Sequence, residues 1–475
     1  MAAVIAAPAS GSGKTLLTLA LLAWARVHGH SVQPFKVGPD YLDPQLLSAA
    51  AGRPCRNLDI NLCGEGWVQR AFHSYGAQAD LALVEGVMGL FDGIGCTEKG
   101  STAAVAKQLK LPVVLVVDAG GQAASLAALV RGFRDHDPQL VLAGVVLNRV
   151  NSDRHRVLLQ EVLDAIGMPL LGCLPKSDDL ALKSRHLGLA PAHELQDLGQ
   201  RLDRWARLAE QHLALDQLIP LLDAPVGGAD PLSNVPESSG PTRPVAVASD
   251  EAFHFRYAET GELLERMGMP VLPWSPLADE PIPEQARGLI IPGGFPEQHA
   301  ERISGCRTSL QSLRTFASRQ PVYAECGGML LLGQQLADLD GLQHPMAGLL
   351  PFRARRGPLQ VGYRQLKAHA DSLLLRRGET LTGHEFHRWA LESNRPNSDG
   401  SVLWEIEGWK TGRKPEGWGI QRIHASWIHL HWASCSTICS RWRDAIATAP
   451  MHSIDGLSAG PSRSAFNPSS NAGAC

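Results

Sequence analysis

The sequence predicts an α/β protein with two domains. Its 475 residues are too many for a single hydrophobic core of ordinary size. Two glycine-rich turns that each follow a short apolar segment lie far apart, at residues 7–15 and 323–329. Between them, residues 227–244 are rich in Gly, Pro, Ser and Asp, which is typical of an interdomain linker. We therefore predict domains at residues 1–226 and 245–445, joined by this linker.

The first domain is predicted to be a doubly wound parallel sheet that carries a phosphate loop. Short apolar or β-branched segments at residues 3–7, 81–85, 112–118 and 143–147 alternate with helical stretches. This alternation is the pattern of βαβ units. A helix is expected at residues 15–28, ending before a glycine that can serve as its C-cap.

The second domain is also predicted to be α/β. Its expected strands lie at residues 245–248, 288–294 and 321–324, and the last one leads into the second glycine-rich turn. Residues 446–475 are rich in Ser, Gly, Ala and Asn without apolar periodicity, so we predict a disordered tail there.

Composition excludes several classes of function. Charged residues make up 19% of the chain and the formal net charge is -3, which gives no electrostatic basis for binding nucleic acid or an anionic membrane. The most apolar run, residues 111–117, is far shorter than the roughly 20 residues that span a bilayer. The nine cysteines follow no framework pattern. We expect a cytoplasmic enzyme with small-molecule substrates, and the sequence leaves its oligomeric state open, a homodimer being one arrangement.

The turn at residues 7–15 indicates a nucleotide phosphate site. It follows a predicted strand and opens a helix, and it contains Gly11, Gly13, Lys14 and Thr15. Backbone N–H groups of such a loop surround phosphates, while the lysine supplies a point charge and the threonine a magnesium ligand. The first glycine of the common pattern is replaced by Pro8, which removes none of these groups.

Two acidic segments extend this site. Asp40 lies in the loop at residues 36–44, and Glu85 ends a predicted buried strand. Phosphoryl transfer requires a magnesium ion between phosphate oxygens, and carboxylates are its preferred protein ligands. We take Asp40 and Glu85 as candidate metal ligands together with Thr15; helix capping is the competing interpretation for either acid.

The turn at residues 323–329 has the layout of a nucleophile elbow around Cys326. A strand that turns sharply into a helix presents such a side chain to substrate, and adjacent glycines let the backbone approach it. The amides of Gly294 and Gly327 are candidate donors to a developing oxyanion. A thiol in this setting indicates that glutamine is hydrolysed here and that its ammonia is used at the nucleotide site.

A base for this thiol is predicted near the end of the chain. Residues 425–432 are interpreted as a strand on which His429 and His431 share one face. Class I glutamine amidotransferases usually carry a glutamate two residues after the catalytic histidine, and this position is His431 here. We favour His429 as the base and leave His431 as its partner or alternative. The segment at 383–387 contains two more histidines, for which packing or substrate contact is preferred over metal binding.

Taken as an ordered set, these motifs resemble those of the cobyrinic acid a,c-diamide synthase family. The resemblance covers nearly everything up to residue 442 and depends on residues 11–15, 36–44, 85–93, 292–297, 324–328, 383–387 and 429–431. It implies a dethiobiotin-synthetase-like ATPase domain followed by a class I glutamine amidotransferase-like domain. It also implies that ATP and Mg²⁺ activate the a and c side-chain carboxylates of cobyrinic acid as acyl phosphates, which ammonia from glutamine then captures.

The resemblance also assigns individual residues. Cys326 corresponds to the nucleophile, and Lys14 with Thr15 to the phosphate and magnesium site. The positions of Asp40 and Glu85 complete that site in the family. The resemblance further implies that Tyr41, Leu42 and Asp92 line the cleft that faces the corrinoid.

Three other functions stay open on the sequence. Relatives of the family use hydrogenobyrinic acid or nickel-sirohydrochlorin, and the residues do not distinguish these macrocycles. Cobyric acid synthase joins the same two domains but typically has a glycine after its base, where this chain has Leu430. A P-loop switch with a glutaminase-like binding module would not need both Cys326 and His429.

Overall fold

The computed structural model describes residues 2–176, 184–185, 188–189, 194, 197–235, 237, 240–393, 402–420 and 422–450. The predicted tail falls on residues 446–475, of which 451–475 lie outside the described residues. The last helix ends at Thr448, three residues beyond the predicted domain end at 445. No helix or strand lies in the described part of residues 227–244.

A seven-stranded sheet forms the N-terminal half, and all of its strands are parallel. Its strand order is β3-β2-β4-β1-β5-β6-β7. The strands are β1 Ala3–Ala6, β2 Val32–Val37, β3 Arg56–Leu58, β4 Leu81–Glu85, β5 Val113–Asp118, β6 Leu142–Val150 and β7 Leu170–Pro175. The predicted doubly wound parallel sheet is thereby confirmed.

Helices connect these strands, because parallel neighbours need crossover connections. They are α1 Lys14–Val27, α2 Leu42–Ala51, α3 Ile60–Cys63, α4 Glu65–Gly76, α5 Thr102–Leu109, α6 Ser125–His136, α7 Asp153–Asp164, α8 Leu198–His212 and α9 Leu215–Leu218. A two-stranded ladder pairs β8 Ser184–Arg185 with β9 Gly188–Leu189. Most of α1 is buried, including the run from Leu17 to Ala23, so this helix is fixed in the core with its N-terminus at the phosphate loop.

A mixed sheet of twelve strands forms the C-terminal half. Its strands are β10 Val245–Ala248, β11 Val271–Trp274, β12 Gly288–Ile291, β13 Val322–Glu325, β14 Gln335–Ala337, β15 Gln343–Pro345, β16 Phe352–Ala368, β17 Thr380–Ser393, β18 Val402–Gly408, β19 Thr411–Ile420, β20 Ile423–Ser426 and β21 Ile428–His429. The strands β11-β10-β12-β13-β20 are parallel, and all of them except the edge strand β11 are buried. The long hairpin of β16 and β17 continues the sheet in the antiparallel sense.

The helices of this half are α10 Ala258–Arg266, α11 Ala300–Gly305, α12 Arg307–Ala317, α13 Gly327–Leu332 and α14 Ser436–Thr448. Of these, α13 directly follows β13, so the strand, the turn and the helix predicted around Cys326 are all present.

The expected continuous strand over residues 425–432 is wrong. The chain bends at Trp427, whose backbone N–H donates to the buried carboxylate of Glu416 at 2.9 Å instead of joining the ladder. Glu416 also accepts from the Ser426 hydroxyl at 2.6 Å. As a result β20 pairs with β13, whereas β21 pairs with β17, and His431 lies beyond the end of both.

The two halves contact each other directly. Arg56 donates to Glu262 at 2.5 and 3.0 Å, and Tyr363 donates to Asp59 at 2.8 Å. Because ligands of α/β sheets bind beyond the carboxyl ends of parallel strands, the loops after β2, β4, β12 and β13 are the positions of interest. Among the described residues, none of the helices has the length and apolar character needed to traverse a lipid bilayer.

Candidate active site

The phosphate loop has the shape that its sequence predicts. Gly11 and Gly13 take φ values of +80° and +114°, and α1 begins at Lys14 immediately after them. The loop is closed by the Ser12 hydroxyl, which donates to the Ala9 carbonyl at 2.9 Å. Lys14 Nζ donates to the Met88 carbonyl at 2.6 Å, which holds the lysine across the loop.

A buried lysine organises the carboxylates beside this loop. Lys36 Nζ lies 2.6 Å from Asp43 Oδ2 and 2.7 Å from Glu85 Oε1, with Asp40 Oδ2 at 3.9 Å. Thr15 donates to the same Glu85 oxygen at 3.0 Å. The candidate residues Thr15, Asp40 and Glu85 therefore meet around Lys36, at the ends of β2 and β4.

The charged groups of this cluster shift one another's pKa values. Burial and the like charge of Lys36 lower the pKa of Lys14 to about 8. Burial and the carboxylate of Asp43 raise the pKa of Asp40 to about 7. Burial alone would lower the pKa of Lys36, but the carboxylates of Asp43 and Glu85 outweigh it and raise that pKa. Groups crowded in this way are typical of sites that receive a charged ligand.

The donor set fits a magnesium ion that also binds phosphate oxygens. Glu85 Oε2 is buried without a hydrogen-bond partner among the described residues, beside the hydroxyl of Thr15. A carboxylate oxygen and a hydroxyl are hard ligands of the kind Mg²⁺ takes when nucleotide supplies the remainder. In the described part of the chain no group of three or more His, Cys, Asp or Glu residues could hold a metal by itself.

Cys326 occupies a strained turn between β13 and α13. Its φ is +49°, a region that costs a non-glycine residue of order 1–3 kcal/mol. The turn is held because Cys326 N donates to the Ser426 carbonyl at 2.7 Å. The thiol is 5% exposed and its Sγ lies 3.7 Å from the Phe386 carbonyl oxygen. This is the predicted nucleophile elbow.

His429 lies against this thiol and has a carboxylate behind it. Its imidazole is hydrogen-bonded to Cys326, and its Nδ1 lies 3.1 Å from Glu325 Oε1. The other oxygen of Glu325 accepts from the Tyr323 hydroxyl at 2.6 Å. A thiol, an imidazole and an orienting carboxylate thus follow one another in space, which is the arrangement that nucleophilic catalysis requires.

Electrostatics favour a charged pair at this site. Burial would lower the pKa of His429, but the negative charges of Cys326 and Glu325 outweigh it and raise the pKa to about 10. His429 is therefore favoured as the imidazolium at neutral pH. The thiolate is the form of cysteine that attacks carbonyl carbon.

Backbone donors flank the nucleophile. Gly294 has φ +156°, and a Cβ added to it would lie 2.1 Å from the Ala252 carbonyl oxygen, so only glycine fits. A Cβ added to Gly327 would lie 3.0 Å from the Gly294 amide nitrogen. The backbone at the two candidate oxyanion residues is therefore in close contact beside Cys326.

Comparison with known proteins agrees with this division of the chain. Residues 3–189 match a family described as a CobQ/CobB/MinD/ParA nucleotide binding domain. Residues 244–436 match a CobB/CobQ-like glutamine amidotransferase domain.

Similar proteins span nearly the whole chain. A cobyrinate a,c-diamide synthase of Synechocystis sp. is 41% identical over 454 residues, covering 94% of this chain and 93% of that protein. The chain belongs to the cobyrinate a,c-diamide synthase family. A second such enzyme, from Gloeobacter violaceus, is 42% identical and covers 91% and 94% of the two chains. A hydrogenobyrinate a,c-diamide synthase of Streptomyces coelicolor is also 42% identical and covers 94% and 97%.

Of the three residues predicted to line the substrate cleft, two lie in one cavity with the glutaminase residues and one does not. Tyr41 and Leu42 line a cavity of about 570 Å³ together with Cys326 and His429. The ring of Tyr41 lies 5.0 Å from that of His429, measured between centroids. Asp92 is not among the residues that line this cavity, and its Oδ2 accepts from the Gly89 amide at 2.8 Å.

The other histidines have different surroundings. His431 packs between Trp67 and Tyr257, at 5.3 and 4.8 Å between ring centroids, and accepts from the Ser434 amide. Burial lowers its pKa to about 3, so it is neutral at pH 7. In the segment at 383–387, His387 stacks on Trp427 at 3.7 Å. That histidine also lies 3.0 Å from Glu385 Oε1.

Sequence reasoning missed two functional groups of this family member. The orienting carboxylate is Glu325, whereas the sequence suggested only His431 as a partner for His429. Lys36, near the end of β2, lies at the centre of the charge cluster, a position that the sequence did not predict. Both residues carry a charge within an otherwise apolar strand, and a buried charge requires a partner. That pattern was the available signal.

Proposed function

We propose that this protein is a glutamine-dependent ATP ligase that amidates the a and c side-chain carboxylates of cobyrinic acid. In this proposal residues 1–226 form the ATP-dependent synthetase domain and residues 245–445 the glutaminase domain, with 227–244 as their linker. The disposition of both sites around one cavity carries the proposal. That cavity is lined by Asp40 and Asp43 on the synthetase side and by Cys326 and His429 on the glutaminase side.

In the glutaminase half, the thiolate of Cys326 attacks the carboxamide carbon of glutamine. The amides of Gly294 and Gly327 donate to the oxyanion, and the imidazolium of His429 gives its proton to the amide nitrogen, which leaves as neutral ammonia when the C–N bond breaks. Glu325 keeps the imidazole oriented and charged. Water then hydrolyses the thioester and releases glutamate, so each turnover yields one ammonia inside the protein.

In the synthetase half, the loop that contains Gly11 and Gly13 binds the phosphates of ATP, and Lys14 approaches them as a point charge. A substrate carboxylate attacks the γ-phosphoryl group to form an acyl phosphate and ADP. Ammonia displaces phosphate from that carbonyl and forms the amide. A magnesium ion held by Thr15 and Glu85, with Asp40 near it, would neutralise phosphate charge when bound.

The shared cavity supports a direct transfer of ammonia between the halves. Tyr41, Leu42, Phe255 and Phe295 present apolar surface along it. Such a lining favours neutral ammonia over ammonium, because burying the charged form without a partner is costly. We further propose a cytoplasmic location, where ATP and glutamine are both available.

The Streptomyces coelicolor relative supports a second candidate substrate, hydrogenobyrinic acid, with the same chemistry. Purified protein, ATP, Mg²⁺ and glutamine should be incubated with cobyrinic acid, hydrogenobyrinic acid or nickel-sirohydrochlorin and the products analysed by mass spectrometry. Two successive acid-to-amide mass shifts on cobyrinic acid are expected. If only another macrocycle reacts, that macrocycle replaces cobyrinic acid as the proposed substrate. Glutamine hydrolysis without any amide product would contradict the proposed ligase.

A further inference from the structure

Apart from histidines, five charged side chains line the cavity. Among the described residues, three of them have an ion-pair partner and two do not. The five are Asp40, Asp43, Glu297, Arg364 and Arg388. Lys36 forms ion pairs with both aspartates, and Arg364 Nε lies 2.6 Å from Glu385 Oε2.

Glu297 and Arg388 differ from the other three. Within the described ranges of the chain, no ion pair includes either of them. The Nε of Arg388 is buried without a hydrogen-bond partner. A buried charge without a counter-charge is unfavourable, so one negative and one positive group in this wall indicate a ligand that carries both charges.

Glu297 lies beside the nucleophile. It belongs to the 3₁₀ turn Pro296–His299, which follows Gly294, and a Cβ added to Gly327 would lie 2.8 Å from Pro296 Cδ. The carboxyl group is 7% exposed and is hydrogen-bonded by the side chain of Trp389. Burial raises the pKa of Glu297 to about 7, so a cationic ligand would also favour its ionised form.

Arg388 lies on the neighbouring wall. It follows Phe386 by two residues in β17, and the Phe386 carbonyl oxygen lies 3.7 Å from Cys326 Sγ. Two residues of a strand span roughly 7 Å and project to the same face. Trp389, the next residue, is the hydrogen-bond partner of Glu297, and Glu297, Arg388 and Cys326 all line the same cavity.

From this placement, and on the proposed glutaminase function, we propose that Glu297 binds the α-ammonium group of glutamine and Arg388 its α-carboxylate. Four carbon–carbon bonds separate the carboxamide carbon from the α-carboxylate, a span of about 5 Å when extended. Cys326 and Arg388 line the same cavity, along which a glutamine with its carboxamide at the thiol would extend. The pair would select a free amino acid over an amide that lacks either charge.

The test measures glutamine-dependent and ammonia-dependent amidation by full-length Glu297→Gln and Arg388→Gln. Loss of one charge-assisted contact should raise the KM for glutamine by about 10-fold to 100-fold. The reaction with ammonium salt bypasses glutamine and reports whether the fold and the synthetase site are intact. Glu301→Gln and Arg302→Gln, two exposed positions in α11, serve as charge-matched controls and should keep the wild-type KM.

Two analogues distinguish recognition from a structural role. Glutaramate lacks the α-ammonium group, and 4-aminobutanamide lacks the α-carboxylate. The wild type should hydrolyse both poorly; Glu297→Gln should no longer prefer glutamine to glutaramate, and Arg388→Gln should no longer prefer it to 4-aminobutanamide. Equal KM values for wild type and variants, or a wild type indifferent to both analogues, would overturn the inference.

The outcomes remain separable from those of the proposed function. If a variant also loses the ammonia-dependent reaction, its KM for glutamine is not informative. The preference of the wild type for glutamine over glutaramate and 4-aminobutanamide then tests the inference. If the wild type forms no amide from either nitrogen source, the ligase proposal fails, whereas an active wild type with unaffected variants contradicts only the headgroup site.

Discussion

The glutaminase and nucleotide sites face one cavity but differ in how complete they are. Around Cys326 the protein supplies a base in His429, an orienting carboxylate in Glu325 and backbone donors, and Tyr323 satisfies the second oxygen of that carboxylate. Around Lys36 the protein leaves an oxygen of Glu85 without a partner.

This difference indicates which site depends on ligands. A preorganised cysteine–histidine pair can react as soon as glutamine arrives, because it requires no further group. A cluster in which Lys14 and Lys36 repel each other, and in which Asp40 and Asp43 do the same, is expected to gain further counter-charge when nucleotide and metal bind. We therefore expect mutations at the first site to affect one nitrogen source and mutations at the second to affect both.

The largest effect is expected for Cys326→Ala. Loss of the nucleophile should lower glutamine-dependent amidation by more than about 10⁴-fold, whereas ammonia-dependent amidation should stay within about 2-fold of wild type. Amide product measured with each nitrogen source checks this. Simultaneous loss of both reactions in a protein with a wild-type melting temperature would contradict separate sites.

At the nucleotide site, Glu85→Gln should lower amidation from either nitrogen source by about 10²-fold to 10³-fold. The change removes a counter-charge of Lys36 and a candidate metal oxygen. Rates with glutamine and with ammonium salt should be measured over a range of Mg²⁺ concentrations. Glu65→Gln, at an exposed position in α4, is the matched control; an unchanged rate in Glu85→Gln would remove this carboxylate from the site.

The carboxylate behind the base should have an intermediate effect that depends on pH. Glu325→Gln removes a negative charge that raises the pKa of His429, so this pKa should fall from about 10. Because the imidazolium is the acid that protonates the leaving amide nitrogen, the alkaline limb of glutaminase activity should move to lower pH, and kcat should drop by about 10²-fold. A profile that keeps its alkaline limb would show that Glu325 does not act on His429.

Coupling between the sites should depend on Tyr41. This residue comes from the loop that also carries Asp40, yet its ring contacts His429 at 5.0 Å and stacks on Phe255 at 5.4 Å. We expect ATP and macrocycle to stimulate glutamine hydrolysis, and Tyr41→Leu should lower this stimulation roughly 3-fold to 10-fold. Tyr41→Phe, which keeps the ring, should behave like wild type. Glutamate release with and without ATP measures the effect, and equal stimulation in all three proteins would indicate independent sites.

The smallest effect is expected for His431→Asn. This histidine is neutral, buried and packed against Trp67 and Tyr257, beyond the end of β21. Glutamine hydrolysis should change by less than about 3-fold, whereas His429→Asn should lose at least about 10²-fold. If the two variants were equally impaired, His431 would share the role of the base.

Much of this architecture can be read from local sequence. Parallel strands such as β4 and β13 are continuous apolar runs, and the glycines of both turns mark where the backbone must bend. The phosphate loop and the elbow around Cys326 are short segments whose geometry depends on neighbouring residues. For this reason their shape could be predicted without any knowledge of the tertiary structure.

Groups brought together from distant parts of the chain could not be found in this way. The bend at Trp427 depends on Glu416, which lies in the preceding strand of the hairpin, β19. The local sequence around Trp427 therefore could not predict the break before His431. Likewise, Glu297 and Trp389 lie far apart in sequence, yet the Trp389 side chain is hydrogen-bonded to Glu297. Periodicity carries no information about such contacts.

The central claim is that ammonia made at Cys326 is used inside the same molecule at the acyl phosphate. Glutamine labelled with ¹⁵N in its amide should be supplied with unlabelled ammonium at its own KM, and the label in the macrocycle amide should be measured by mass spectrometry. Transfer through the shared cavity predicts a labelled fraction well above that of the bulk ammonium pool. A product whose label equals that of the bulk pool would show that ammonia leaves the protein first, and would contradict the claim.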